Sequence, residues 1–98
     1  MDKRKPAHDL SAFKAAVAAD RVAFTRAAIR DARSLGLGIE EMKVALAALR
    51  RAQFYKSMTS IHDHRAWQDV YHLPWEGLTL YVKFTVAAGF ILLSFKEK

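Results

Sequence analysis

Phe54-Tyr-Lys-Ser-Met-Thr59, leading through Asp63-His64 into Trp67-Gln-Asp-Val-Tyr71, crowds Lys, Gln, Asp and His among large aromatics, while the chain's other polar residues are spread along helical patterns. Two strands joined by a loop over 60–66 account for that density. Side chains alternate across a pleated sheet, so Lys56 and Met58 share one face of the first strand, and Gln68 and His72 one face of the second. A sheet surface carrying those groups suits a polar, anionic ligand.

Working outward toward the C-terminus, the first strand covers 53–59 and the second 67–72. Leu73-Pro-Trp-Glu-Gly77 then reads as a turn, with Pro74 and Gly77 breaking the pairing. Residues 78–86 alternate again: Leu80, Val82, Phe84 and Val86 face one way, Tyr81, Lys83 and Thr85 the other. Ala87-Ala-Gly89 is a short hairpin connection to a last strand over 90–96, where Ile91, Leu93 and Phe95 oppose Phe90, Leu92, Ser94 and Lys96. On this alternation Phe54, Val70, Phe90 and Leu92 fall on the polar face. Both faces of an antiparallel sheet are then partly covered, with helices on one side and a partly apolar cleft on the other.

Toward the N-terminus the periodicity changes from 2 to 3.6. A helix is expected over 11–19, capped by Asp9 or Ser11, with Leu10, Phe13 and Val17 as its apolar stripe. Val22-Ala-Phe24 reads as a short edge strand. A second helix starts after Thr25 and runs to Leu35, stopped by Gly36, and a third covers 39–50 with Met42, Ala45, Leu46 and Leu49 on one side. Glu40 and Glu41 sit at the favourable end of its dipole. Arg26, Arg30 and Arg33 share one side of the second helix, as either an RNA-binding ridge or a solvated face. The fold class is therefore α+β: three N-terminal helices packed on a mainly antiparallel sheet.

The chain has 98 residues, with 16 Lys and Arg against 10 Asp and Glu, a formal net charge of +6 and a pI near 9.9. That length supports one domain over 1–98. Residues 1–51 hold eleven Lys and Arg against six Asp and Glu, and residues 52–98 hold five against four, so the excess charge sits in the helical half. A basic chain of this kind suits RNA, DNA or an acidic protein as partner. Cysteine is absent, which excludes disulfides and Cys-based zinc or redox motifs and is compatible with a reducing cytosol. The charged start Met1-Asp-Lys-Arg-Lys-Pro6 is followed by no apolar segment of signal or transmembrane length, so a cytoplasmic location without membrane contact is expected.

Taken together, Phe54-Tyr-Lys-Ser-Met-Thr59, Asp63-His64, Trp67-Gln-Asp-Val-Tyr71, Leu80-Tyr81-Val-Lys83, Thr85-Val86 and the closing Ser94-Phe-Lys-Glu-Lys98 resemble the motility quorum-sensing regulator (MqsR) family of bacterial toxins. The N-terminal half is similar mainly in pattern, through Leu10-Ser11, Arg26, Leu35-Gly36-Leu37 and Met42. The resemblance implies a RelE-like fold and an mRNA interferase that cuts single-stranded mRNA at short sites beginning with GC, with no cofactor and no metal. It also implies a cognate antitoxin of the MqsA type, bearing a zinc-bound domain and a DNA-binding domain. Carried over by position, the catalytic residues would be Lys56, Gln68, Tyr81 and Lys96, with Met58 beside them and His72, Lys83 and Trp75 as substrate-binding candidates.

Metal-free cleavage by the 2′-hydroxyl needs a group to take its proton, one to protonate the leaving 5′ oxygen, and positive charge near the pentavalent phosphorane. Lys56, Lys83 and Lys96 are the local cations, Tyr81 can donate or relay a proton, and Gln68 can only orient groups. Two positions depart from the family pattern. His72 stands where Arg is expected, so it takes a proton-transfer role, weakens the phosphate grip or is peripheral. Trp75 either stacks on an unpaired base or packs on its own hairpin. His62 and His64 alternate in an extended segment but lack a third ligand beyond Asp63, which favours a bracing role for Asp63 or His64 over a metal site. Trp67 and Tyr71 read as core. A non-catalytic RNA-binding module, or a regulatory partner within a protein complex, is the competing function.

Overall fold

A computed structural model describes residues 2–98. The described residues form three α-helices and a six-stranded sheet in the order β1 (Asp2–Lys3), α1 (Leu10–Ala18), β2 (Val22–Phe24), α2 (Arg26–Ser34), α3 (Ile39–Ala47), β3 (Phe54–Thr59), β4 (Trp67–Trp75), β5 (Leu78–Val86) and β6 (Phe90–Glu97). Across the sheet the strands run β1-β3-β4-β5-β6-β2. All neighbours are antiparallel except β2, which lies parallel to β6 at one edge. No described helix is long and apolar enough to cross a membrane.

The helices form where the sequence places them because each is capped locally. The Asp9 carboxylate accepts from Ala12 N at 3.2 Å. The Thr25 hydroxyl accepts from Ala28 N at 3.1 Å and donates to Leu93 O at 3.1 Å, so one side chain starts α2 and ties it to β6. Gly36, at φ 80, leaves α2 in the left-handed conformation. The third helix ends at Ala47, short of the expected Arg50. Its last turn tightens through Ala48 N to Ala45 O and Leu49 N to Leu46 O, and the freed Leu49 carbonyl accepts from Lys14 Nζ at 2.7 Å.

One core joins the helices to one face of the sheet. Phe13, Val17, Ala28, Ala32, Met42, Ala45, Leu46 and Leu49 pack against Tyr71, Leu73, Leu80, Val82, Phe84, Leu92 and Phe95. Phe13 and Phe84 stack at 3.8 Å between centroids and 4° between planes. The opposite face of the sheet is open, and the site lies there.

The structure corrects the simple alternation in three places. A bulge between Phe54 and Lys56 turns Phe54 to the core, where it meets Tyr71 edge-on, and frees Tyr55 toward the open face. A second irregularity pairs Lys83 with Ser94 but Phe84 with Leu92, leaving Leu93 as the extra residue. Phe90, Leu92 and Phe95 therefore all serve the core, and of the four apolar residues expected on the polar face only Val70 lies there. Val86, beside the hairpin connection, is 43% exposed and outside the core.

The third correction concerns Leu73 to Trp75, which continue β4 and form no turn. Glu76 (φ 47) and Gly77 (φ 83) both have positive φ, so two residues suffice for a type I′ hairpin whose twist matches the strands. Pro74 is tolerated because β3 pairs with β4 only as far as Tyr71. Beyond that point β4 has β5 alone as a neighbour, and a missing N–H is cheap on an open strand edge.

Residues ahead of α1, which carry no periodic signal, are held by one buried carboxylate. Asp69 accepts from Ala7 N at 3.0 Å and His8 N at 2.9 Å. His8 Nε2 lies 2.9 Å from Trp67 O, a carbonyl that can only accept, so this nitrogen carries the proton. With that segment fixed, β1 pairs with β3, Asp2 opposite Met58 and Lys3 opposite Ser57.

Candidate active site

Four strands supply the open face, and their register decides which side chains meet. Met58 lies opposite Gln68, and Lys56 opposite Val70. Val70 lies opposite Lys83, and His72 opposite Tyr81. Tyr81 in turn lies opposite Lys96, and Lys83 opposite Ser94. One row across the sheet is thus Lys56, Val70, Lys83 and Ser94, and the next is His72, Tyr81 and Lys96. Adjacent strands are about 4.8 Å apart, so each row spans only a few nucleotide-sized groups. Val70, fully buried, is the apolar floor between the two lysines of its row.

The aromatic rings form a line above this floor. Tyr55 stacks on His72 at 4.2 Å between centroids and 23° between planes, and His72 lies 6.2 Å from Tyr81. A lysine stands at each end: Lys56 Nζ is 5.6 Å from the Tyr55 centroid and Lys96 Nζ 5.5 Å from that of Tyr81. Sequence alternation missed Tyr55, because strict period 2 places it opposite Lys56. Its signal was a large aromatic directly beside a candidate lysine, 51% exposed once folded.

The site's electrostatics separate its titratable groups. Burial pushes the Tyr81 phenol above its ordinary value, against the opposing pull of the Lys56 charge, so it remains a proton donor through neutral pH. Burial, with the Lys96 charge added, pulls the Lys83 ammonium below its ordinary 10.5. Burial and then the Lys98 charge lower His72 below 6.5, leaving a mainly neutral imidazole at pH 7 that stacks on Tyr55 without a standing charge. Lys56 Nζ meets the Asp2 carboxylate at 3.3 Å, the lysine side chain partly exposed and the carboxylate exposed.

Seven of the eight sequence candidates, Lys56, Met58, Gln68, His72, Tyr81, Lys83 and Lys96, share this face by register. Trp75 does not join them. It packs against the core beside the hairpin, with its Nε1 buried and unpartnered. Arg26, Arg30 and Arg33 ride on α2, in the helix layer across the sheet from the lysines. In the loop ahead of β4, Asp63 accepts from Arg65 N at 2.9 Å and so braces it; the described residues contain no group of three or more His, Cys, Asp or Glu able to hold a metal. Tyr71 is core, its buried phenol raised to about 12 chiefly by desolvation.

A surface of closely set lysines, a protonated phenol, an amide and stacked rings can grip a phosphodiester and hold unpaired bases flat. Comparison with known proteins gives the same direction. A family model described as "Motility quorum-sensing regulator, toxin of MqsA" matches residues 5–97. A curated protein, the mRNA interferase toxin MqsR of Escherichia coli (strain K12), is 42% identical over 98 residues, covering all of both chains.

Proposed function

This chain belongs to the motility quorum-sensing regulator family of toxins, and we propose that it is an endoribonuclease, an mRNA interferase that cuts single-stranded mRNA without a metal at short sites beginning with GC. The observation that carries this is the convergence of Lys56, Gln68, Tyr81 and Lys96 from four strands onto one open face. Acting on mRNA in the cytoplasm, the enzyme inhibits translation. Its partner is an antitoxin of the MqsA type, with a zinc-bound domain and a DNA-binding domain.

In this mechanism the 2′-oxygen attacks the adjacent phosphorus, its proton leaves to a base, and the 5′-oxygen departs with a proton from an acid. The products are a 2′,3′-cyclic phosphate and a 5′-hydroxyl. Tyr81 and Lys83 lie two residues apart on one face, about 6.7 Å along the strand, a separation that straddles one phosphate. Tyr81 is the acid. The neutral fraction of Lys83, enlarged by its lowered pKa, takes the 2′ proton. Lys56 and Lys96 hold the charge on the phosphorane, while Gln68 and Met58 position the nucleotide.

Wild-type protein with a long mRNA in EDTA is the direct test. Site-specific cuts leaving 5′-hydroxyl ends and beginning with GC support the interferase. Binding without cuts supports the non-catalytic module instead. Tyr81→Phe removes only the phenolic proton donor, and general acid catalysis contributes about 10²–10⁴-fold, so cleavage should fall by at least about 10²-fold with RNA affinity nearly unchanged. His72→Arg adds a permanent cation beside Tyr81. At pH 7.5 it should bind RNA more tightly, with a salt slope steeper by about 0.7 for the added phosphate contact. Wild type gains the equivalent charge only below the imidazole's ordinary 6.5, so the two affinities should converge as pH falls through that region.

A further inference from the structure

At the outer side of β3, beyond the line of rings, the short β1 strand leaves a cavity of about 230 Å³ lined by Asp2, Lys3, Arg4, Tyr55 and Lys56. It is smaller than the roughly 300–1,000 Å³ of sites that enclose a whole small ligand, so it suits one unit of a continuing chain. Its cations are not equivalent. Lys56 is held by Asp2 at 3.3 Å, and Lys3 lies over the Trp67 ring at 4.2 Å from its centroid. Arg4 is exposed and makes no ion pair among the described residues, which leaves its guanidinium available. Tyr55 belongs to both places: its ring stacks on His72 within the site, and the residue lines the cavity.

We infer that this notch is a subsite for the phosphodiester flanking the scissile one, with Arg4 holding that phosphate and Tyr55 supporting the adjoining sugar or base. The inference rests on the RNA-cleaving function proposed above and extends its substrate path from β6 across the sheet to β1. The sequence hides it, because Arg4 lies in a run of charged residues that resembles an unstructured start. Only the pairing of β1 with β3 brings Arg4 beside Tyr55 and Lys56.

Binding can be separated from cutting with RNA oligonucleotides carrying 2′-deoxyribose at the cut nucleotide, which removes the attacking hydroxyl. Two lengths are compared by fluorescence anisotropy over roughly 50–200 mM salt, the range over which phosphate contacts are read: the cut dinucleotide alone, and the same step extended by two nucleotides at its 5′ end or, separately, at its 3′ end. Wild type should gain affinity on extension at one end. Arg4→Ala should lose that gain, about three- to ten-fold, together with about 0.7 of the salt slope, while binding the short oligonucleotide as wild type does. A neutral methylphosphonate at the flanking phosphate should weaken wild type equally and have no further effect on Arg4→Ala. Lys5→Ala, which removes the same charge outside the cavity, should leave the extension gain intact. An Arg4→Ala loss that is equal for both lengths, absent, or matched by Lys5→Ala overturns the subsite. Cleavage of all-ribose RNA is scored separately, so failure to cut would sink the interferase function without touching this result.

Discussion

Lys56→Ala should lower catalytic efficiency on a GC-containing RNA by about 10²–10³-fold, the range expected when one fixed donor to a developing oxyanion is removed. The lysine heads the row that crosses the sheet through Val70 to Lys83, so its charge lies over the floor on which a phosphate would rest. The fold should survive almost unchanged. The partner of Lys56 is Asp2, at 3.3 Å, with side chains 31% and 58% exposed, and an ion pair that open contributes at most about 1 kcal/mol. A thermal melt close to wild type, beside the large kinetic loss, would therefore assign the residue to the chemistry. Lys56→Arg keeps the charge but replaces a compact ammonium with a planar fork, and should recover only part of the rate. Cleavage by Lys56→Ala within about three-fold of wild type would remove the residue from the mechanism.

The site was legible in the sequence to the extent that it obeys period 2. Lys56 and Met58, Gln68 and His72, and Tyr81 and Lys83 each sit two or four residues apart, and pleating alone carries each pair to a common face. Tyr55 was not legible, because the bulge that frees it comes from the register of β3 against β4, a property of two strands together. Leu93 is the same case on β6. Its insertion opposite β5 moves Leu92 off the face of Ser94 and Lys96 and puts it with Phe95 in the core. Trp75 was misplaced for a different reason. Proline reads as a breaker in one dimension, and only the sheet shows that β4 has already lost one neighbour at that point. The first two helices were readable to within a residue because caps and stripes are local, while the third ends three residues early, where its last turn tightens. The N-terminal β1 strand was not, since what fixes it is a carboxylate more than sixty residues away.

That carboxylate should be the most sensitive polar position in the fold. Asp69→Ala is expected to cost about 2–4 kcal/mol, a fall in Tm on the order of 10–20 °C for a chain of this size. Asp69 is 0% exposed and accepts from the backbone N–H groups of Ala7 and His8, one on each oxygen, so truncation leaves two donors without partners. Asp69→Asn keeps one acceptor and the shape, and should lose roughly half as much. The loss should also be local before it is global: amide exchange should accelerate first at residues 7 and 8, then along β1, whose pairing with β3 covers only two residues. The side chain lies on the helix-facing side of β4, between the site residues Gln68 and Val70 that point the other way. Well below its lowered Tm, Asp69→Ala should therefore cut a short RNA at close to the wild-type rate. It should nonetheless bind a longer one less well, because Arg4 is no longer held beside Tyr55. If folded Asp69→Ala instead turned over the short RNA slower by about two orders of magnitude or more, the carboxylate would be part of the catalytic machinery, and the chemistry would have been placed on the wrong face of the sheet.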